Sequence, residues 1–334
     1  MWGKNPGEKQ NMEIVITGSI AYDYLMTFPG YFKDHILPDK LDRVSLSFLV
    51  DKLDRHFGGV APNIAYTLAL LGEHPKVMGT AGRDFAEYRA WLEAAGVDTS
   101  AIIEVDEVFT ASFFANTDLA NNQIASFYAG AMAYAREYTL ADTLDHMPDL
   151  VVISPNDPLA MTQLADECAA QDVPFMFDPS QQVLRLDRDF LCHGIERCHT
   201  LVCNEYEFGL ICEKTGLDRN AILSRVEALI VTLGNDGSVI YADGQEYRVP
   251  VVPVEHIADP TGVGDAYRAG ILKGMALGWP WGTSGRVGAV CAAFVLEQVG
   301  TQNHRFTRRQ FAERFRAHFD DEGLLDSLLR EQPA

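Results

Sequence analysis

Residues 259 to 265 read Asp259-Pro260-Thr261-Gly262-Val263-Gly264-Asp265, and the run Ala266-Tyr267-Arg268-Ala269-Gly270-Ile271-Leu272 behind them has the composition of a buried helix. A glycine turn that opens a helix lines up backbone N–H groups with no partner inside the helix, and these can hold an anion. A carboxylate is planted in the same turn. The pairing points to phosphoryl transfer: the amide nest would hold the migrating group while Asp265 takes the proton of an attacking hydroxyl. The plainer reading is a helix start at which an acid satisfies orphan donors. The chain has no Gly-x4-Gly-Lys-Ser/Thr loop, and Tyr267 occupies the third glycine position of a Gly-x-Gly-x-x-Gly loop at this turn.

Such residues need a frame. Apolar strand-like runs alternate with helical stretches, the pattern of a parallel sheet with helices on both faces. Strands are expected at Glu13 to Thr17, Lys76 to Gly79, Leu150 to Ser154, Pro174 to Asp178, Thr200 to Cys203 and Ala228 to Leu233. Helices fit Asn63 to Leu71, Asp84 to Ala95, Pro158 to Gln171, Glu205 to Cys212, Asp265 to Leu277, Ser284 to Gln298 and Thr307 to Phe319. Residues 24–57 and 100–127 break the rhythm with short β-type runs, and they are expected to pair into a small sheet that covers the body as a lid and excludes water. Ligands of open α/β sheets sit beyond the carboxyl ends of the strands. Asp23, Asp178, Asn204-Glu205-Tyr206-Glu207 and Thr232-Leu233-Gly234-Asn235-Asp236-Gly237 stand at or after the ends of expected strands, while Gly58-Gly59-Val60-Ala61-Pro62-Asn63 opens a helix.

The 334 residues, 47% of them hydrophobic, fit one large domain over residues 12–330, with residues 1–11 as a disordered extension. Lys plus Arg total 27 against 47 Asp plus Glu, a formal charge of −20. That field repels nucleic-acid backbones and anionic membranes, so neither is an expected partner. It does not bar a nucleotide, because a local nest and Mg²⁺ act at contact range whereas surface charge is screened over about 8 Å. The apolar stretch around Val290 to Leu296 is far short of the roughly 20 residues of a membrane-spanning helix. Six cysteines without a Cys-x2-Cys pair, and no segment resembling a secretory leader, lead to a cytoplasmic expectation. Cys192-His193 and Cys198-His199 offer four zinc-ligand types, but adjacent ligands on a regular element point apart, so zinc is the weaker reading.

Together the motifs resemble the ribokinase-like (PfkB-type) family of sugar and nucleoside kinases, from about residue 13 to 320. Gly58-Gly59-x3-Asn63-x-Ala65 with Leu71-Gly72 is similar to the family's first signature, and Asp259-x-Thr261-Gly262-x-Gly264-Asp265 to its second. Asn204 and Glu207 match its Asn-x-x-Glu motif; Thr232, Gly234 and Gly237 match its Thr-x-Gly-x-x-Gly nucleotide loop. The resemblance implies a three-layer α/β/α body with a mainly parallel sheet and a β-sheet lid. It implies Asp265 as base, with Gly262, Val263 and Gly264 as amide donors. Asp23, Gly58, Gly59 and Asn63 would bind the acceptor; Asn204, Glu207, Thr232, Gly234 and Gly237 the nucleotide; and Glu207 would hold Mg²⁺ through water. A monovalent cation and a monomer or homodimer are compatible with it. The helix N-terminus is expected to lower the pKa of Asp265. For Asn204 and Glu207 the alternative is simple helix capping, and for Asp23 a turn cap.

Two departures stand out: Val263 occupies a place usually held by Ala or Gly, and Pro260 one usually held by Thr. Asp178-Pro179-Ser180-Gln181 also lacks the basic residue found near this strand end in several sugar kinases of the family, which argues against a phosphosugar. The stretches Phe57 to Ala65 and Phe127 to Met132 look most like adenosine and other nucleoside kinases. Phe113, Phe114, Phe127 and Tyr128 are lid aromatics against which a purine could stack. The expectation is an ATP-dependent kinase of a primary hydroxyl, adenosine first, with a ribose or fructose kinase as the alternative. A non-catalytic nucleotide or sugar sensor is the reading from a different class.

Overall fold

The computed structural model describes residues 12–37, 43 and 45–330; the extension expected over residues 1–11 lies outside the described residues. In chain order the strands are β1 (Ile14–Thr17), β2 (Ala21–Thr27), β3 (Lys52–Gly58), β4 (Lys76–Gly82), β5 (Ile102–Val105), β6 (Ala111–Thr117), β7 (Gln123–Tyr128), β8 (Leu150–Ile153), β9 (Phe175–Phe177), β10 (Thr200–Asn204), β11 (Ala228–Thr232), β12 (Ser238–Ala242) and β13 (Gln245–Val249). The helices are α1 (Val60–Leu70), α2 (Ala86–Ala95), α3 (Leu140–Thr143), α4 (Pro158–Ala170), α5 (Arg188–Arg197), α6 (Glu205–Thr215), α7 (Arg219–Leu223), α8 (Val263–Ala276), α9 (Trp281–Leu296), α10 (Arg308–His318) and α11 (Asp326–Arg330).

Nine strands form one sheet in the order β13-β12-β11-β10-β9-β8-β1-β4-β5. Every neighbouring pair from β11 to β5 is parallel, and β12 and β13 add an antiparallel edge. A parallel sheet must be covered on both faces, and its strands show it. Ile14, Ile16, Leu150, Val152, Val202 and Ile230 pack with Ile64, Leu92, Ile271, Val290 and Phe311 of the helices on one side. Their chain neighbours Val15, Val151, Ile153, Leu201, Leu229 and Val231 pack with Met161, Leu164, Leu191, Ile195 and Ile211 on the other. The result is the expected three-layer α/β/α body.

A second sheet has the order β3-β2-β6-β7, with β2 and β6 parallel and the outer pairs antiparallel. It grows directly out of the body: β1 leads into β2 through Gly18-Ser19-Ile20, and β3 runs into α1 at Gly59. β5, inside the stretch 100–127 expected to be lid, instead extends the large sheet beside β4, where Ile102 and Val105 are buried. The β12–β13 hairpin was not among the expected strands, although its turn, Asp243-Gly244 at φ 53° and 70°, carries a strong short-range hairpin signal.

Candidate active site

Gly262 caps α8 with φ at 80°, a left-handed conformation that costs a residue with a Cβ, and a Cβ there would also come within 2.9 Å of Thr301. The first amides of α8 have no carbonyl partner one turn back within the helix. Val263 N–H makes only a long 3.4 Å contact with Pro260 O. Pro260 thus supplies the carbonyl that closes the turn, and the side chain of Val263 packs against the core.

Asp265 lies in the first turn of α8, with 13% of its side chain exposed. Asn63 on α1 donates through Nδ2 to Asp265 Oδ2 at 2.9 Å, which joins the two signatures across 202 residues. Oδ1 receives Arg268 Nη1 at 3.3 Å, and Arg268 Nη2 donates to Asp178 Oδ1 at 2.7 Å. Asn63 is itself oriented. Gln302 donates through Nε2 to Asn63 Oδ1 at 2.9 Å and to Tyr88 Oη at 2.5 Å, and Tyr88 donates to Gly58 O at 2.8 Å. With its oxygen taken by Gln302, the Asn63 amide can turn only its nitrogen to the acid.

Asp23 on β2 lies within reach of the charge of Asp265. Gly58 makes this possible, since a Cβ on it would run into Oδ2 of Asp23, and Gly59, at φ 90°, turns the chain tightly over the backbone of Ser19 and Ala21. Cross-strand partners share a face. The register aligns His56, Asp23, Phe113 and Phe127 in one row over β3, β2, β6 and β7. Phe114 belongs to the opposite face, where it stacks on Tyr24 at 4.8 Å, and Tyr128 belongs with Ser112 and Tyr22. Of the four expected stacking rings, only Phe113 and Phe127 therefore share Asp23's face.

Asn204 and Glu207 cap α6 reciprocally: Glu207 N–H donates to Asn204 Oδ1 and Asn204 N–H donates to Glu207 Oε2, both at 2.8 Å. Capping is thus real and leaves Oε1 of the buried Glu207 for other work. Asn204 is in register with Thr232 across β10 and β11, which places the Thr232–Gly237 loop beside it. Gly237 at φ 85° returns the chain into β12, and Tyr267 of α8 shares a 2.6 Å hydrogen bond with Ser238 there.

Burial dominates the titration of the cleft. It raises Asp265 above the ordinary carboxylate range, opposed by the Arg268 charge and the Asn63 hydrogen bond. The expected lowering by the helix terminus is overturned: loss of water outweighs the favourable contacts, and a less acidic carboxylate is a better proton acceptor. Burial, then the negative charges of Asp259 and Asp265, push Asp23 up to about 6. Asp178 is pushed up to about 7, chiefly by burial, against the pull of Arg268. Among the described residues no group of three or more His, Cys, Asp or Glu is gathered as a metal site; His193 faces Asp166 and His199 faces Glu227. A magnesium ion here would lean on few protein oxygens and keep its waters, which suits that ion.

Arg268 and Gln302 were not among the residues singled out from sequence. Arg268 stands i+3 from Asp265, a spacing that puts both on one helix face and was readable. Gln302, 239 residues from Asn63, carries no local signal.

The pfkB family carbohydrate kinase model matches residues 19–307. A nucleoside kinase of Methanocaldococcus jannaschii is 29% identical over 92% of this chain and 97% of its own; its solved structure superposes with a TM-score of 0.84, covering 93% of this chain and 100% of that one. The structure of a Burkholderia thailandensis nucleoside kinase in complex with inosine is 37% identical, with a TM-score of 0.82 over 92% of this chain and 97% of that one. Among the described residues no helix is long and apolar enough to cross a membrane. With both signatures meeting at Asp265 and the matched region spanning most of the sequence, the chain is a kinase that belongs to the pfkB carbohydrate kinase family, on the ribokinase-like fold.

Proposed function

We propose that this kinase transfers the γ-phosphoryl group of ATP to a primary hydroxyl of a nucleoside, with adenosine and other purine nucleosides as acceptors. The observation that carries the reading is the row His56, Asp23, Phe113, Phe127 on one face of the small sheet. An ionised Asp23 accepts two hydrogen bonds from a vicinal diol, and flat rings in the same row suit a purine, whereas a free sugar offers them only hydroxyls. The inosine held by the B. thailandensis relative supports the same acceptor class. The acceptor oxygen attacks the γ-phosphorus, the bond to the β–γ bridging oxygen breaks, and ADP leaves. The hydroxyl proton passes to Asp265. Amides of Gly262, Val263 and Gly264 stabilise the charge on the transferring group. Thr232, Gly234 and Gly237 cradle the nucleotide beside Asn204. Glu207 would hold Mg²⁺ through water, and the ion would supply charge neutralisation at the phosphates.

The test is ADP formation against a panel of nucleosides and sugars. Adenosine and inosine should exceed ribose and fructose in kcat/KM by about tenfold or more. Asp265→Asn should lose about 10²- to 10⁴-fold in kcat while remaining folded. Turnover of ribose or fructose without any nucleoside would overturn the acceptor; near-normal turnover by a folded Asp265→Asn variant would overturn the base.

A further inference from the structure

Arg268 is buried one turn along α8 from Asp265, with only 7% of its side chain exposed. Its guanidinium spans two acids: Nη2 donates to Asp178 Oδ1 at 2.7 Å and reaches Ser180 Oγ at 3.4 Å, while Nη1 donates to Asp265 Oδ1 at 3.3 Å. Space for it comes from Gly264, where a Cβ would stand 2.9 Å from Nη1. The shorter contact is the anchor, and the longer one is the grip. Because Asn63 Nδ2 already holds Oδ2 of Asp265, the carboxylate is fastened from two sides and its plane is fixed. Each oxygen still has lone pairs for an incoming proton.

The arrangement is a demanding one for a merely structural contact. Arg268 Nε and Asp178 Oδ2 are both buried without a hydrogen-bond partner. Apolar side chains of similar volume often fill such a place with no loss of stability. A lysine would be a poor substitute, since its single ammonium lacks the planar fork that spans two carboxylates.

Resting on the nucleoside kinase reading above, we propose that Arg268 is the positioning residue of the base: anchored on Asp178 past the end of β9, it holds the Asp265 carboxylate in the orientation that accepts the acceptor's proton. It is not a substrate-phosphate clamp, because its Nη groups are engaged with protein acids. The basic residue missing from the Asp178-Pro179-Ser180-Gln181 stretch is thus replaced in space by one from α8 with different work. Other charged or titratable groups around Asp265 are Asp23 from β2, Tyr88 from α2 and Asp178; Glu207 from α6 acts on Arg268 and Asp178.

The test uses the full chain with Arg268→Lys, and with Arg268→Gln and Asp178→Asn combined, which removes both buried charges together and so leaves neither stranded. Circular dichroism establishes folding. The double variant should lose about 10- to 100-fold in kcat, with the nucleoside KM changed less than about threefold. Its acid limb of kcat/KM should move to higher pH by about one unit, because the cation opposing protonation of Asp265 is gone. Arg268→Lys should fall between it and the parent. Carboxyl ¹³C NMR of the unliganded proteins should show the same upward move of the Asp265 midpoint. That readout needs no substrate, so it decides the role of Arg268 even if no nucleoside is turned over and the functional reading itself fails. A folded double variant with parental kcat, with a KM effect alone, or with an unmoved Asp265 midpoint would overturn the proposal.

Discussion

Burial works against the role proposed for Asp23. As the proposed diol acceptor it would have to be ionised, yet its surroundings favour the neutral acid, with a pKa raised from 3.8 to about 6. A carboxyl that holds its proton more tightly in the folded chain lends stability below pH 3.8, and that contribution is lost as pH rises through about 6. At neutral pH the charge therefore costs on the order of 2 kcal/mol, allowing for partial exposure. Asp23→Asn should be more stable than the parent at pH 7 by about 1–2 kcal/mol in denaturant titrations, with the gain vanishing near pH 3.8. The same variant should bind nucleoside more weakly, and the parent's nucleoside KM should climb as pH falls through about 6. The local motifs were legible because each is a few residues long and its chemistry shows in residue type: Asp265 with its glycines, Asn63 behind Gly58-Gly59, Asn204 with Glu207. Gln302 was not, because an amide that orients another amide across the fold leaves no trace in its own neighbourhood.

Among the elements, α8 carries the proposed base Asp265, and its seat is α9. A Cβ on Gly270 would run into the backbone of Gly288, and one on Gly274 into Ser284, so the two helices approach backbone to backbone. Gly270→Ala should cost about 1–3 kcal/mol through overpacking and lower kcat by displacing Asp265, read from thermal melts and initial rates together. Most elements around the site were readable: the buried parallel strands β1, β4 and β8 to β11 are short apolar runs, and all seven expected helices occur. Capping by Asp157, Asn204 and Thr307 places three of the starts within a few residues of expectation. What escaped was pairing. Nothing in Ile102–Val105 distinguishes a strand that extends the large sheet from one that joins the small sheet, since the choice is made by β4 and not by the segment. The face of each lid aromatic likewise depends on register: one residue of slip exchanges Phe113 with Phe114.

In the molecule as a whole the proposed site draws on both sheets' layers, with Asp23 on the small sheet and Asp265 on a helix packed against the large one. Both excursions, Ala21–Gly58 and Ala111–Tyr128, are needed for the row that carries Asp23. A nucleoside that touches lid and body together binds only the folded protein, so adenosine at about 100 times its Kd should add about 2.7 kcal/mol of stability. Differential scanning calorimetry should show a Tm higher by roughly 5 °C, and Asp23→Asn should lose most of that gain. Asn63 waits for partners that lie 202 and 239 residues further on, at Asp265 and Gln302. On the ribosome a nascent chain therefore carries Gly58, Gly59 and Asn63, the acceptor side of the proposed site, long before Asp265. The Asn63 amide that would orient the proposed base is itself held only once Gln302 has emerged, so a shorter nascent chain lacks that part of the proposed centre.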